Sequence, residues 1–169
     1  MKVVAIVQAR TGSIRFPNKV MNLIVGLPMI EIILKRLSKS KLINQIILAT
    51  SVDPKNKNLI NHVERLGFPC IVGSESDVLE RYIHAAKQTK AEVIVRITGD
   101  CPLVDPDLVD ECVEKFKLSG VDYFSNTLKP TFPDGLDVEV FKFSVLKKTG
   151  DEATKSKHRE HVTTYIKES

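Results

Sequence analysis

The chain has no tryptophan, 6% aromatic residues and three cysteines in 169 residues. Cys70, Cys101 and Cys112 are odd in number and form no C-x-x-C pair, which argues against a disulfide framework and against a cysteine zinc site. Such usage fits a reducing compartment, and a cytoplasmic location is expected. Long apolar runs are also missing. Val3 to Val7 gives way to Gln8 and Arg10, and Met21 to Leu34 is interrupted by Gly26, Pro28 and Glu31. The first run is too short for a signal-peptide core and neither can span a bilayer, so no membrane partner is expected. Nor does one charge sign dominate: 25 basic against 21 acidic residues leave a net +4. The basic residues do not interleave with aromatics, so no nucleic-acid partner is expected.

What is present is the composition of an ordinary soluble domain, 43% hydrophobic and 27% charged. The length suits a single domain over 1–169 that can fold without a covalent or metal staple. Short apolar runs alternate with helical patterns. Val3 to Val7 is a continuous β-branched run, as in a buried parallel strand. Ile46 to Ala49, Pro69 to Val72, Glu92 to Ile97 and Val121 to Phe124 are the other expected strands. A helix opening at Pro28 carries Ile30, Ile33, Leu34 and Leu37 on one face. Asp53, then Ser76 or Asp77, then Asp105 each precede another helical stripe, as N-caps do. Strands and helices in this alternation predict β-α-β units and a mostly parallel sheet covered on both faces. Beyond about residue 126 the alternation fades. Leu136 to Phe141 has period two and reads as a half-buried strand. The segment from His158 to Ile166 reads as a last helix.

In such sheets ligands bind beyond the carboxyl ends of the strands. Two polar loops fall there, Gln8 to Lys19 and Gly99 to Asp105. The first gathers Arg10, Gly12, Ser13, Arg15 and Lys19. Arginine forks match phosphate oxygens, lysine acts as a point charge, and glycine lets backbone N–H groups approach an anion. These cations suit a polyphosphate, although neither the P-loop nor the G-x-G-x-x-G pattern is present. The alternative is a solvated loop with scattered charges. In the second loop Asp100 is placed to hold Mg²⁺, an ion that favours one or two carboxylates plus substrate phosphates. Asp137 and Glu139 share one face of their expected strand, so either could be a second metal ligand; a wet edge face is the alternative. His158 and His161 lack the company a zinc site requires.

The run Gln8-Ala-Arg-Thr-Gly-Ser-Ile-Arg-Phe-Pro-Asn-Lys-Val20 resembles the nucleotide loop of sugar-acid cytidylyltransferases, most of all their spore-coat-polysaccharide branch. Gly73 to Tyr82, Arg96 to Asp105, Pro133 to Phe141 and His158 to Thr163 extend the resemblance in family order. It implies a nucleotide-diphospho-sugar transferase fold, a Rossmann-like three-layer α/β/α sandwich. It implies transfer of CMP from CTP to a sugar or sugar acid with release of pyrophosphate, for a surface polysaccharide. Arg10, Gly12, Ser13, Arg15 and Lys19 would then hold the triphosphate, with Arg15, Lys19 and Asp100 as the catalytic set. Ala9, Ser74, Asp77 and Arg81 would lie near the cytosine. Asp100 would hold Mg²⁺ together with Asp137 or Glu139. Thr98, Asn126 and Gly135 would line the sugar pocket. A homodimer is compatible with the resemblance. Phe16 and Asn18 depart from the usual leucine and glycine, and the chain ends short of typical members. Use of another nucleotide or a sugar phosphate, or nucleotide binding without catalysis, are the alternative readings.

Overall fold

The first strand, β1 (Val3–Gln8), is apolar at five successive positions and buried on both sides. Its alternating side chains divide the core in two. Val3, Ala5 and Val7 join one buried cluster, and Val4 and Ile6 join the other. A continuous apolar run is what a central strand between two helical layers requires. The structure is a computed structural model that describes residues 1–12, 16–130 and 132–169.

After β1 come a 3-10 turn at Lys19–Met21 and a small hairpin, β2 (Leu23–Ile24) with β3 (Leu27–Pro28). Then follow α1 (Met29–Leu37), β4 (Gln45–Ser51), α2 (Lys57–Arg65), β5 (Cys70–Gly73), α3 (Val78–Thr89) and β6 (Val93–Thr98). The remainder is α4 (Pro106–Ser119), β7 (Tyr123–Ser125), β8 (Glu139–Lys142), α5 (Phe143–Glu152), α6 (Ser156–Glu160) and α7 (Thr164–Glu168). The main sheet has the order β5-β4-β1-β6-β8-β7. The pairs among β5, β4, β1 and β6 are parallel, and β8 runs antiparallel to both β6 and β7. Residues of α1, α2 and α4 fill one core cluster, and residues of α3 and α5 fill the other. The result is the expected three-layer α/β/α arrangement on a mostly parallel sheet.

The caps act as the sequence predicts. Asp77 Oδ1 accepts from Glu80 N at 2.9 Å, and Asp105 Oδ1 accepts from Asp107 N at 2.9 Å and Leu108 N at 3.0 Å. Three expectations need correction. Pro28 closes β3 and stands just before α1 rather than inside it. The strand expected over Leu136 to Phe141 begins only at Glu139 and is interior: Glu139, Val140 and Phe141 are all buried between β6 and β7. The last helix is two short ones, because Val162 adopts φ +50 between them. Among the described residues, no helix is long and apolar enough to cross a membrane.

Candidate functional site

The chain runs outward from β1 to β4 on one side and returns on the other side as β6. The carboxyl ends of β1 and β6 therefore form a switch point, with Gln8 opposite Thr98. Gly99 N donates to the Gln8 carbonyl at 2.7 Å. A Cβ at Gly99 would lie 2.5 Å from Ala9 Cβ and 2.8 Å from the Gln8 oxygen, so the close approach of the two loops requires glycine. That approach brings the cation loop onto the acidic one. Lys19 Nζ donates to Asp100 Oδ2 at 3.0 Å across a cavity of about 540 Å³ that also meets Ala9, Arg10, Gly12 and Thr98. Burial would raise the Asp100 carboxyl, but the Lys19 ammonium on it outweighs burial and holds it below the usual range.

A second cavity of about 670 Å³ adjoins the first, and the two share Gln8, Arg10 and Arg81. Its walls come from the start of α3 and from α6. Arg10 is paired there with Glu75 Oε1. Arg81 is 2% exposed. Burial works against its charge and the neighbouring Glu75 carboxylate supports it. Asp77 has a structural task beyond its cap. Its Oδ2 accepts from Arg159 Nε at 2.8 Å and Nη2 at 2.5 Å, which fastens α6 to α3. Ser74 Oγ accepts from Asp77 N at 3.1 Å in the same turn.

The structure thus brings Ala9, Arg10, Gly12, Lys19, Arg81, Thr98 and Asp100 around one cleft, with Asp77 on its extension. Ser13 and Arg15, expected on the same loop, lie outside the described residues. The expected sugar residues are not gathered. Thr98 faces the cleft, whereas Asn126 lines a separate groove against α4 and spends its amide on Leu136 O (2.8 Å) and Val138 N (2.9 Å). Gly135, at φ +93, serves a turn between them.

The two acids proposed as the second metal ligand separate clearly. Glu139 is surrounded by donors: Tyr123 Oη at 2.6 Å, Thr163 Oγ1 at 2.9 Å, Lys167 Nζ at 2.7 Å, and the Arg96 guanidinium. Burial raises its carboxyl, yet Arg96 and Lys167 outweigh that and bring it down to about 2. Three of these donors share Oε1 and Arg96 takes Oε2, so the charge of Glu139 is already matched by the chain's own cations. Asp137 is different. Burial first, then the charges of Asp134, Glu139 and Asp100, push its carboxyl upward. An under-neutralised carboxylate that feels Asp100 is what a divalent cation would relieve. Among the described residues, no group of three or more His, Cys, Asp or Glu is assembled for a metal. Sequence reasoning missed Glu75, Arg96 and Arg159, whose roles depend on pairings across the fold.

A phosphate-type cation loop facing an acidic loop at the switch point of a parallel sheet defines a nucleotide-handling α/β protein. The chain belongs to the cytidylyltransferase family, whose model matches residues 4–169. It is 41% identical over 169 residues to an uncharacterized protein of Methanocaldococcus jannaschii, covering 100% of this chain and 68% of that one. It is 33% identical over 167 residues to the spore coat polysaccharide biosynthesis protein SpsF of Bacillus subtilis, covering 96% and 68%. Among solved structures, a cytidylyltransferase from Leptospira borgpetersenii serovar Hardjo-bovis superposes with a TM-score of 0.95 at 32% identity, covering 100% of this chain and 72% of that one.

Proposed function

We propose that the protein transfers CMP from CTP to a hydroxyl of a sugar or sugar acid, releasing pyrophosphate, in the assembly of a surface polysaccharide. The observation that carries this reading is the 3.0 Å approach of Lys19 Nζ to Asp100 Oδ2 at the mouth of β1 and β6. A cation for phosphate and a carboxylate for metal meet where a triphosphate with its ion would lie between them. Arg10, Gly12 and Lys19 hold the phosphates, joined by Ser13 and Arg15 of the same loop. Ala9, Ser74 and Arg81 flank the base, with Asp77 anchoring their turn.

Asp100 and Asp137 fit Mg²⁺, which takes one or two carboxylates and completes its shell with phosphate oxygens and water. When bound, the ion neutralises charge that develops on the phosphates. The acceptor hydroxyl oxygen attacks the α-phosphorus, the bond to the bridging oxygen breaks, pyrophosphate leaves, and the hydroxyl proton passes to solvent. The fixed cations of the loop stabilise the leaving pyrophosphate and hold the attack in line.

The test is pyrophosphate release from CTP and Mg²⁺ with a panel of sugars and sugar acids. Lys19→Met and Asp100→Asn are each expected to lower turnover by about a hundredfold or more while thermal unfolding stays cooperative. Wild-type turnover in both variants would overturn the assignment.

A further inference from the structure

The cation loop is tied down by a side chain that lines neither cavity of the cleft. Asn56 ends the 3-10 turn Pro54–Asn56 ahead of α2 and is 1% exposed. Its Oδ1 accepts from Thr11 N at 2.9 Å and from Thr11 Oγ1 at 3.0 Å. Its Nδ2 donates to Ser51 Oγ at 2.7 Å and to the Ser51 carbonyl at 3.2 Å. A backbone N–H can only donate and a backbone carbonyl can only accept, so Thr11 and Ser51 together fix which way the amide faces. An aspartate would set an oxygen against the Ser51 carbonyl, and an apolar residue would leave the Thr11 N–H buried without a partner.

Thr11 is where the loop leaves the sheet. Its carbonyl accepts from Asn18 N at 3.0 Å, which closes the neck of the segment carrying Gly12, Ser13 and Arg15. Asn18, at φ +57, leads directly into the turn that bears Lys19. Arg10, Gly12, Pro17 and Asn18 are exposed, so apolar packing does not order them, whereas Thr11 is buried on its amide clamp. On its other side Ser51 adjoins the Glu75 carboxyl that pairs with Arg10. Burial would raise that carboxyl, and Ser51 with Arg10 outweighs burial and holds it below the usual range.

We propose that Asn56 is a positioning residue: by holding Thr11 it sets the cation loop in the shape that receives the β- and γ-phosphates before the nucleotide arrives. This rests on the proposed binding of CTP and names what preorganises its phosphate site. A loop already in place has little conformational freedom left to lose when the ligand docks, which strengthens binding without a new contact. Asn56 itself touches no phosphate, because both ends of its amide are engaged by Thr11 and Ser51.

The test compares CTP with CMP, which lacks the two phosphates the loop would hold. Calorimetric titration of the 169-residue chain with each nucleotide and Mg²⁺, well below the unfolding midpoint, gives the CTP-to-CMP affinity ratio. Wild type is expected to favour CTP. In Asn56→Ala the ratio should fall by about tenfold, through weaker CTP binding with CMP binding unchanged. Thr11→Val keeps the N–H bond to Asn56 and removes the hydroxyl one, and should lower the ratio by about threefold. Where Asn56→Ala does not fold, Thr11→Val carries the test alone. A wild-type ratio in either folded variant overturns the proposal, as does a parallel loss of both nucleotides, which a merely structural contact would give. Equal wild-type affinity for CTP and CMP also overturns it, while pyrophosphate release by wild type keeps the proposed function standing in each of these cases. A wild type that binds neither nucleotide removes the proposed function and this assignment with it.

Discussion

Val25 and Gly26 form the two-residue turn of the β2–β3 hairpin, at φ +50 and +82. Positive φ at both positions is the type I′ turn, which favours Asn-Gly. A β-branched residue is strained there, and Val25 is 99% exposed, so packing does not offset the strain. Val25→Asn is therefore expected to stabilise the protein by about 1 kcal/mol, and to raise the melting temperature by roughly 2–4 °C in a scanning calorimeter. At the same scale, Lys19 and Asp100 were legible in the sequence because each sits in a polar loop directly after a buried strand. Glu75 and Arg159 were not. Their meaning lies in partners 65 and 82 positions away, and no local pattern encodes such distances. Glu139 misled for a related reason. An acid alternating with valines looks like a wet strand face, and only the arrival of Arg96 and Lys167 explains its burial.

Between elements, α1 and α2 are joined by Glu31. Its side chain is only 9% exposed and bonds His62 Nε2 at 2.9 Å and Lys35 Nζ at 2.6 Å. The Lys35 contact, with help from His62, outweighs burial and holds the Glu31 carboxyl below its ordinary value of 4.5. A carboxyl lowered on folding stabilises the native state above that ordinary value and loses the contribution as pH falls through its native one. Glu31→Gln should cost about 1–2 kcal/mol near neutrality. The gap from wild type, read from urea midpoints, should narrow steadily below pH 4.5. The parallel half of the sheet was readable because apolar runs and Asp-capped helices repeat there. The β2–β3 hairpin and the two final helices escaped, since they are too short to set a period and owe their shape to single residues such as Val25 and Val162.

For the molecule as a whole, the last residues are fastened to the start of α3 through Arg159, which holds Asp77 of the α3 cap and also donates to the Gly150 carbonyl at 3.0 Å. Arg159→Ala should release that segment without unfolding the sheet. Hydrogen exchange is expected to quicken by about tenfold in α6 and α7, while α3, still capped by Asp77, keeps its protection. Equal loss in α3 would show that the clamp supports the whole domain.

The strand order has a consequence for how the polypeptide matures as it is made. Among the described residues β7 pairs only with β8, and β8 lies between it and the rest of the sheet. Residues 123–125 consequently have no strand to pair with until Lys142 has emerged, whereas the four parallel strands have all their mutual partners by Thr98. A nascent chain halted between those points would carry Lys19 and Asp100 already brought together beside a raw β6 edge, the charged pair assembled ahead of the strand that later covers that edge.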